Sequence, residues 1–134
     1  MQIKLIEAAM QARQASYSPY SGFRVGAALL AKSGEIFTGC NVEIGGHSAT
    51  CCAERAAIVK AVSQGVREFS AIAIVGGPDT GPIPGCFPCG VCRQALAEFC
   101  SDDLVIIVAE NTEKWREFTL AEMLPHRFEE AAAE

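Results

Sequence analysis

The chain has 134 residues, 50% of them hydrophobic and 20% charged, and carries a net charge of −5 at pH 7. A chain of this length and composition folds as one domain that buries its own core, without disulfides for support. The acidic balance argues against a nucleic acid as partner, because binding a phosphate backbone usually requires a basic surface, but it is compatible with an uncharged nucleoside.

The N-terminus and the cysteine content indicate where such a protein works. The first residues lack the apolar core and cleavage site of a signal peptide, and no apolar run approaches the roughly 20 residues that span a bilayer. Seven cysteines is an odd and high number, and in a reducing compartment such thiols are metal ligands or buried apolar residues. We therefore expect a cytoplasmic protein that binds neither membrane nor nucleic acid.

Helical and strand patterns alternate along the chain. Helical spacing of apolar residues predicts a first helix over residues 2–16, which ends in a run of turn formers. A hairpin follows, and Gly26 and Gly39 inside its strands indicate a bulge or a close backbone approach. Pro88 opens a later helix, and Thr119 begins a capping box. The remaining predicted elements are strands 23–31, 36–43, 69–75, 104–109 and 114–118, and helices 49–63, 88–100 and 119–124.

This order predicts an α/β fold. Strands separated by helices imply parallel crossovers, and the opening hairpin adds an antiparallel pair. The expected architecture is a three-layer α/β/α sandwich with a mixed sheet of about five strands. We expect a single domain over residues 1–128 and a flexible tail over 129–134.

Cys89 and Cys92 follow Pro88 at a spacing that places both side chains on one face of a first helical turn. Such a pair alone is ambiguous among a redox pair, half of a structural zinc site and chance. A catalytic zinc site needs three protein ligands and leaves the fourth position for water. Cys51 or Cys52, at the start of the preceding helix, supplies the third, and helix N-termini favour thiolates. Spacing does not choose between these two cysteines.

Glu54 supplies the second half of the constellation. An acidic residue in a first helical turn usually does no more than interact with the helix dipole. Beside a metal-ligand cysteine, acid/base chemistry becomes the better interpretation. Because residues i and i+2 do not share a helix face, Cys52 and Glu54 converge only on something above the helix end.

Five separated motifs resemble the zinc deaminases, and more narrowly the small cytidine deaminases that use three cysteine ligands. The motifs are FRVGAAL at 23–29, GCNVE at 39–43, CAER at 52–55, PCGVCRQ at 88–94 and LPHRF at 124–128. The resemblance spans about residues 3–128 and implies the cytidine deaminase-like fold.

The resemblance implies that Cys52, rather than Cys51, joins Cys89 and Cys92 in holding Zn²⁺, with water in the fourth position. It implies that Glu54 takes a proton from that water and delivers protons to N3 and to the departing amine. Three thiolates on a divalent ion leave a charge of −1, and Arg55, whose family counterpart pairs with the ligand cysteines, would offset it.

The resemblance also implies the substrate-binding residues. Asn41 and Glu43 alternate on a strand, so both face the same way, and in the family this pair holds the ribose hydroxyls. Phe23 resembles the aromatic residue that packs on the nucleoside, and Ala53 belongs to the same set. Phe128 resembles the aromatic residue that a neighbouring subunit inserts over the base, which implies a homotetramer.

Two segments depart from the family pattern. Ile44-Gly45-Gly46-His47 replaces the usual Asn-Ala-x-Tyr, and the loop before Pro88 is longer than in many relatives and carries Cys86 and Phe87. His47 is equally compatible with a substrate contact and with a plain loop residue. The cysteines outside the ligand set are most simply small buried apolar residues; they are Cys40, Cys51, Cys86 and Cys100.

The expected function is zinc-dependent hydrolysis of cytidine and 2′-deoxycytidine to uridine and 2′-deoxyuridine, with release of ammonia, in pyrimidine salvage. Deamination of another aminopyrimidine nucleoside, such as blasticidin S, is the alternative that the altered 44–47 segment leaves open. A zinc-stabilised binding module would use four protein ligands and have no need of Glu54. A thiol redox protein would leave Cys52 and Glu54 unexplained.

Overall fold

A computed structural model describes residues 1–131 and contains four helices and five strands within them. The predicted tail lies partly outside the described residues, which end before 132. The elements in chain order are α1 (Gln2–Arg13), β1 (Phe23–Ala31), β2 (Ile36–Cys40), α2 (Ala53–Ser63), β3 (Phe69–Pro78), α3 (Gly90–Phe99), β4 (Val105–Ala109), β5 (Trp115–Thr119) and α4 (Leu120–Met123).

The five strands form one mixed sheet in the order β2-β1-β3-β4-β5. β1 is antiparallel to both β2 and β3, β3 and β4 are parallel, and β5 is antiparallel to β4. The predicted mixed sheet, with its hairpin and its parallel crossover, is confirmed. The α3 crossover brings β4 beside β3, so that Ile72 is aligned with Ile106.

Helices cover both faces of the sheet, as the sandwich prediction requires. Leu5 and Ile6 of α1 pack on one face with Ala28 and Leu30, while Leu29 and its neighbours face α2 and the rest of the larger core. A sheet covered on both faces explains why residues 25–31 of β1 are a continuous apolar run rather than an alternating one. Each fully buried leucine or isoleucine contributes about 1.5–3 kcal/mol of transfer free energy.

Two glycines allow helices to approach the hairpin closely, as predicted. A Cβ atom at Gly26 would lie 2.0 Å from the carbonyl oxygen of Ala9 in α1, and one at Gly39 would lie 2.5 Å from that of Ala53 in α2. Because real Cβ atoms do not make contacts this short, both positions require glycine. Gly39 thereby sets the distance of α2 from the sheet.

Several predicted boundaries were wrong, chiefly around α2 and α3. The second strand ends at Cys40 instead of residue 43, because the chain leaves the ladder and Val42 pairs instead with Cys51 and Tyr17 in isolated bridges. That pairing places Cys51 in a bridge, and Cys52 is an extended N-cap (φ −72°, ψ 154°), so α2 begins at Ala53. Likewise α3 begins at Gly90 instead of Pro88, because Cys89 has extended dihedral angles (φ −70°, ψ 168°).

Smaller differences occur elsewhere. The first helix ends at Arg13 instead of residue 16, and β3 continues to Pro78 because it pairs with the whole length of β1. The capping box is confirmed: the Thr119 hydroxyl accepts the Glu122 N–H, and the Glu122 carboxylate accepts the Thr119 N–H. Among the described residues, no helix combines the length and apolarity needed to cross a membrane.

Candidate active site

The N-termini of α2 and α3 meet at one end of the sheet and bring three thiols together. Cys52 is the N-cap of α2, Cys89 is the N-cap of α3, and Cys92 is the third residue of α3. Both N-caps lack a side-chain hydrogen bond to their own helix, so their sulfur atoms are available to a ligand. The unpaired N–H groups of a first helical turn and the helix dipole favour thiolates at this position.

The sulfur geometry fits a zinc ion. The Sγ atoms of Cys52, Cys89 and Cys92 all lie within 4.8 Å of one another, with Cys52 to Cys89 at 3.9 Å and Cys89 to Cys92 at 3.5 Å. Ligands about 2.3 Å from a tetrahedral zinc ion are separated by about 3.8 Å. Within the described part of the chain the cluster has three ligand atoms, the number of a catalytic site, whereas a structural site has four.

Cys51 lies outside the cluster. Its backbone pairs with Val42, and its Sγ atom lies 3.6 Å from the carbonyl oxygen of Cys52. The spacing in the sequence left Cys51 and Cys52 open, and the structure brings Cys52 to the other two thiols.

Arg55 lies against the cluster. Its Nη2 atom is 3.5 Å from the Cys52 sulfur and donates to the carbonyl oxygen of Thr50 at 3.2 Å. Its Nε atom is buried without a hydrogen-bond partner among the described residues. A hydrogen bond from the Cys92 thiol and the contact with Arg55 lower the pKa of Cys52 to about 5 despite its burial. The guanidinium group is therefore placed to balance negative charge on the sulfurs.

Glu54 is the second residue of α2 and is 4% exposed. Burial raises the pKa of its carboxyl group to about 7. Burying a carboxylate without a paired cation costs folding free energy. Carboxylates with a strongly shifted pKa are common at functional sites. Glu54 therefore lies beside the thiol cluster and lines the same cavity as Cys52.

A cavity of about 250 Å³ opens over the thiols. It brings together most of the predicted residues: Phe23, Asn41, Glu43, Cys52, Ala53, Glu54 and Cys89. It also includes Ser21, Val25, Thr50, Cys86 and Phe87. The sequence pointed to Cys86 and Phe87 as neighbours of the site, whereas Val25, Ser21 and Thr50 were missed. Cys92 belongs to the thiol cluster, and Arg55 contacts Cys52, but neither lines the cavity.

Asn41 is held by three hydrogen bonds. Its Oδ1 atom accepts from the Ser16 hydroxyl and, at 2.9 Å, from the N–H of Val25, and its Nδ2 atom donates to the carbonyl oxygen of Phe23 at 2.8 Å. An asparagine amide offers two acceptor and two donor positions. Asn41 thus retains one N–H for a ligand and braces the start of β1 with the rest of its amide.

Glu43 is held open toward the cavity by the turn before β1. The N–H groups of Tyr20 and Ser21 donate to its Oε1 atom, each at 3.1 Å, and the Ser21 hydroxyl donates to Oε2. The hydroxyl and then the backbone bonds of Ser21 hold the pKa of Glu43 below its usual value. Glu43 is therefore an ionised acceptor that lines the same cavity as Asn41.

Two further predicted residues lie outside the thiol cavity. His47, with φ at 53°, packs edge-on against Tyr20. It lines a neighbouring cavity, and Ser21, Glu43 and Thr50 line both that cavity and the thiol cavity. Phe128 is 69% exposed, and its carbonyl oxygen accepts a hydrogen bond from Gln94 at 2.9 Å. Phe128 does not line the cavity of its own chain.

Comparisons with known proteins agree with this geometry. A family model described as the cytidine and deoxycytidylate deaminase zinc-binding region matches residues 1–108. A cytidine deaminase from Sporosarcina psychrophila is 47% identical over 125 residues, which cover 93% of this chain and 89% of that protein. A blasticidin-S deaminase from Bacillus cereus is more distant, at 33% identity over 108 residues that cover 78% of this chain and 76% of that protein.

The fold agrees as well. A crystal structure of cytidine deaminase from Burkholderia pseudomallei superposes with a TM-score of 0.84 at 42% identity, over 93% of this chain and 97% of the other. The structural match thus covers nearly the whole chain. Zn²⁺ is the cofactor that the family model and the thiol cluster support. The chain belongs to the family of cytidine and deoxycytidylate deaminases that share this zinc-binding region.

Proposed function

We propose that the protein hydrolyses cytidine and 2′-deoxycytidine to uridine and 2′-deoxyuridine with release of ammonia, a reaction of pyrimidine salvage. The observation that carries the proposal is a buried carboxylate, Glu54, beside three clustered thiols at one end of a cavity. The other end of that cavity offers an N–H donor on Asn41 and a carboxylate acceptor on Glu43. This pairing suits the hydroxyl groups of a sugar.

Cys52, Cys89 and Cys92 would hold the zinc ion, which when bound supplies a water molecule with a pKa lowered to about 7. Glu54 accepts the proton of the attacking water and delivers it to N3 of the pyrimidine ring. A C4–O bond forms, the C4–N4 bond breaks, and the second proton of the water leaves with the amine as ammonia. Burial of Glu54 excludes bulk water from this transfer.

The residues around the ring have separate tasks. Phe23 packs against the nucleoside, and Ala53, as the first residue of α2, contributes an N–H group without an intrahelical acceptor, which suits the ring carbonyl O2. Asn41 and Glu43 orient the ribose. We infer that residues 1–128 form one catalytic domain, because the elements that carry these groups all belong to a single sheet and its covering helices.

The function is tested by mixing zinc-loaded protein with cytidine, 2′-deoxycytidine, cytosine and blasticidin S and following the loss of the cytosine absorbance. We expect turnover of both nucleosides and little of cytosine, which lacks the sugar that Asn41 and Glu43 would hold. Glu54→Gln should lower kcat by at least about 10²- to 10⁴-fold while zinc content stays at one per chain. Glu68→Gln, an exposed site beyond the same helix, is the matched control.

Failure of the wild-type protein to deaminate either nucleoside would refute the proposal. Faster turnover of blasticidin S than of cytidine would instead select the alternative substrate, which the altered 44–47 segment beside Glu43 makes worth including.

We further propose that the active unit is a homotetramer in which Phe128 closes a neighbour's cavity. Its exposed ring and its position outside its own cavity support this arrangement. Mixing inactive Glu54→Gln subunits with impaired Phe128→Ala subunits should restore activity after exchange, because some sites then combine an intact Glu54 with a neighbour's Phe128. Activity equal to the sum of the two unmixed variants would contradict the proposal.

A further inference from the structure

Cys86 is a cavity residue to which the proposed reaction assigns no role. It lies in the loop before Pro88 and lines the cavity together with Cys52, Cys89 and Glu54. Its thiol does not belong to the three-sulfur cluster. Burial raises the pKa of Cys86 to about 12, so that it presents a neutral and polarisable surface rather than a thiolate.

The side chain of Cys86 packs against Gly76 of β3. A Cβ atom at Gly76, behind it in β3, would lie 2.8 Å from the Cys86 sulfur, 2.9 Å from its Cβ atom and 3.1 Å from the Phe23 ring. The thiol therefore fills the space that a glycine leaves in the sheet. A ligand that enters the cavity on this side meets the Cys86 side chain, which is backed by β3.

Phe87, the residue after Cys86, packs the loop against β5. The Phe87 ring packs against Phe118 with 5.5 Å between ring centroids, and the Arg116 guanidinium lies 5.2 Å from the centroid of the Phe87 ring. Such cation–π contacts contribute about 0.5–1 kcal/mol at exposed sites. The loop is thus packed against β3 at Gly76 and against β5 at Arg116 and Phe118.

The two edges of a cytosine ring differ chemically, and the cavity differs in the same way. N3, O2 and the amino group lie on one edge, which requires polar partners such as Glu54 and the N-terminus of α2. C5–H and C6–H form the other edge, which suits an apolar wall, and Phe23, Val25 and Cys86 supply one. C4 must lie at the thiol end where the reaction occurs, and C5 is its neighbour on the apolar edge.

We propose that Cys86 is a specificity-determining residue that faces C5 of the pyrimidine ring and limits the size of a substituent there. The inference rests on the proposed function. A hydrogen at C5 fits against the sulfur, whereas a methyl group must displace a side chain that packs directly on Gly76 of β3. Substrates with a bare C5 are therefore favoured over 5-methylated or 5-brominated ones.

The experiment compares kcat/KM for 5-methylcytidine and cytidine in the wild-type protein and in Cys86→Ala. One methyl group in an apolar pocket changes kcat/KM by about 10- to 200-fold, so the ratio should rise at least about 10-fold in Cys86→Ala. In Cys86→Val the added branch should lower the ratio below the wild-type value.

Cys100→Ala is the matched control, because Cys100 is also a buried thiol with its pKa raised to about 12 but lies in the core beyond α3, outside the cavity. Its ratio should equal that of the wild-type protein. The ratio of 2′-deoxycytidine to cytidine should also stay unchanged in Cys86→Ala, since the sugar lies at the other end of the cavity. A general loosening of the site would change both ratios together.

An unchanged 5-methylcytidine ratio in Cys86→Ala, or an equal change in Cys100→Ala, would overturn the inference. If Cys86→Ala loses turnover, equilibrium binding of 5-methyluridine and uridine supplies the same ratio without catalysis and decides by the same criterion. Failure of the wild-type protein to deaminate cytidine would refute the proposed function instead, and that result is distinct from an unchanged ratio in an active enzyme.

Discussion

Gly39→Ala should weaken zinc binding although Gly39 does not touch the zinc site. A Cβ atom at this position would lie 2.5 Å from the carbonyl oxygen of Ala53 and 2.6 Å from the backbone nitrogen of Ala57. Both atoms belong to the backbone of α2, so no side-chain rotation relieves the contact. Raising the 2.5 Å contact to a tolerable 3.0 Å moves α2 away from β2 by about 0.5 Å.

That displacement acts at the residues that carry the chemistry, because Cys52 and Glu54 flank Ala53 at the start of α2. Metal–ligand distances tolerate deviations of about 0.2 Å, so a shift of this size exceeds what the site accepts. Losing the support of metal ligands usually costs about 10- to 100-fold in affinity. Overpacking also lowers the free energy of unfolding by about 1–3 kcal/mol.

Gly26→Ala distinguishes a loss of zinc affinity from a loss of the free energy of unfolding. Its Cβ atom would lie 2.0 Å from the Ala9 carbonyl oxygen and 2.5 Å from the Arg13 nitrogen, so it disturbs α1 on the opposite face of the sheet. We expect it to destabilise the fold at least as much as Gly39→Ala while leaving zinc affinity near the wild-type value.

The assay is competition against a chromophoric zinc chelator at a temperature where circular dichroism shows both variants folded, combined with urea unfolding of the zinc-free proteins. Equal loss of zinc affinity in the two variants would mean that affinity follows global stability. Unchanged affinity in Gly39→Ala would mean that α2 does not transmit the shift to Cys52, and either result refutes the reasoning.

Three further predictions use other contacts. Arg55→Ala should keep the fold but weaken zinc retention about 10- to 100-fold. Zinc content after dialysis measures this, and Arg67→Ala, at an exposed site, is the control. Unchanged metal content in Arg55→Ala would contradict the charge-balancing role. Arg13→Met should lower the free energy of unfolding by about 3 kcal/mol or more, because the 8% exposed Arg13 donates to the carbonyl oxygens of Arg24, Gly77 and Pro78. Arg24→Met, which removes a partly exposed ion pair with Asp79, should cost less than about 1 kcal/mol, and equal costs in urea unfolding would argue against the prediction. Zinc removal by a chelator should lower Tm, because the ion binds the folded chain. An unchanged Tm in calorimetry would contradict preferential binding of zinc to the folded chain.

Much of the frame was predictable because the signals are local. The continuous apolar run of β1 predicted its bounds, Phe23–Ala31, correctly, and the alternation of helices and strands predicted the mixed sheet. The starts of α2 and α3 were predicted wrongly for a physical reason. Helix N-caps are usually recognised by Ser, Thr, Asp or Asn, whereas here cysteines occupy both N-caps.

Parts of the cavity were not predictable, because they depend on contacts between distant segments. Ser21 enters the site by holding Glu43, a residue 22 positions later. Thr50 enters because the chain from Val42 to Cys51 folds back on itself. Neither contact leaves a periodic pattern or a motif in the sequence, and a serine in a run of turn formers is indistinguishable from an ordinary loop residue.

The two ends of the cavity depend on the sheet in different ways, and this difference explains which features the motifs captured. At the reacting end, Gly39 fixes α2 against β2, so Cys52 and Glu54 are positioned by backbone contacts that tolerate little substitution. At the C5 side, Gly76 leaves a space that the loop before Pro88 fills with Cys86. A loop side chain can change without moving the helices that hold the metal. The chemistry and the preference for a pyrimidine substituent are therefore separable in this fold, and exchanging residue 86 should alter the second while zinc binding is retained.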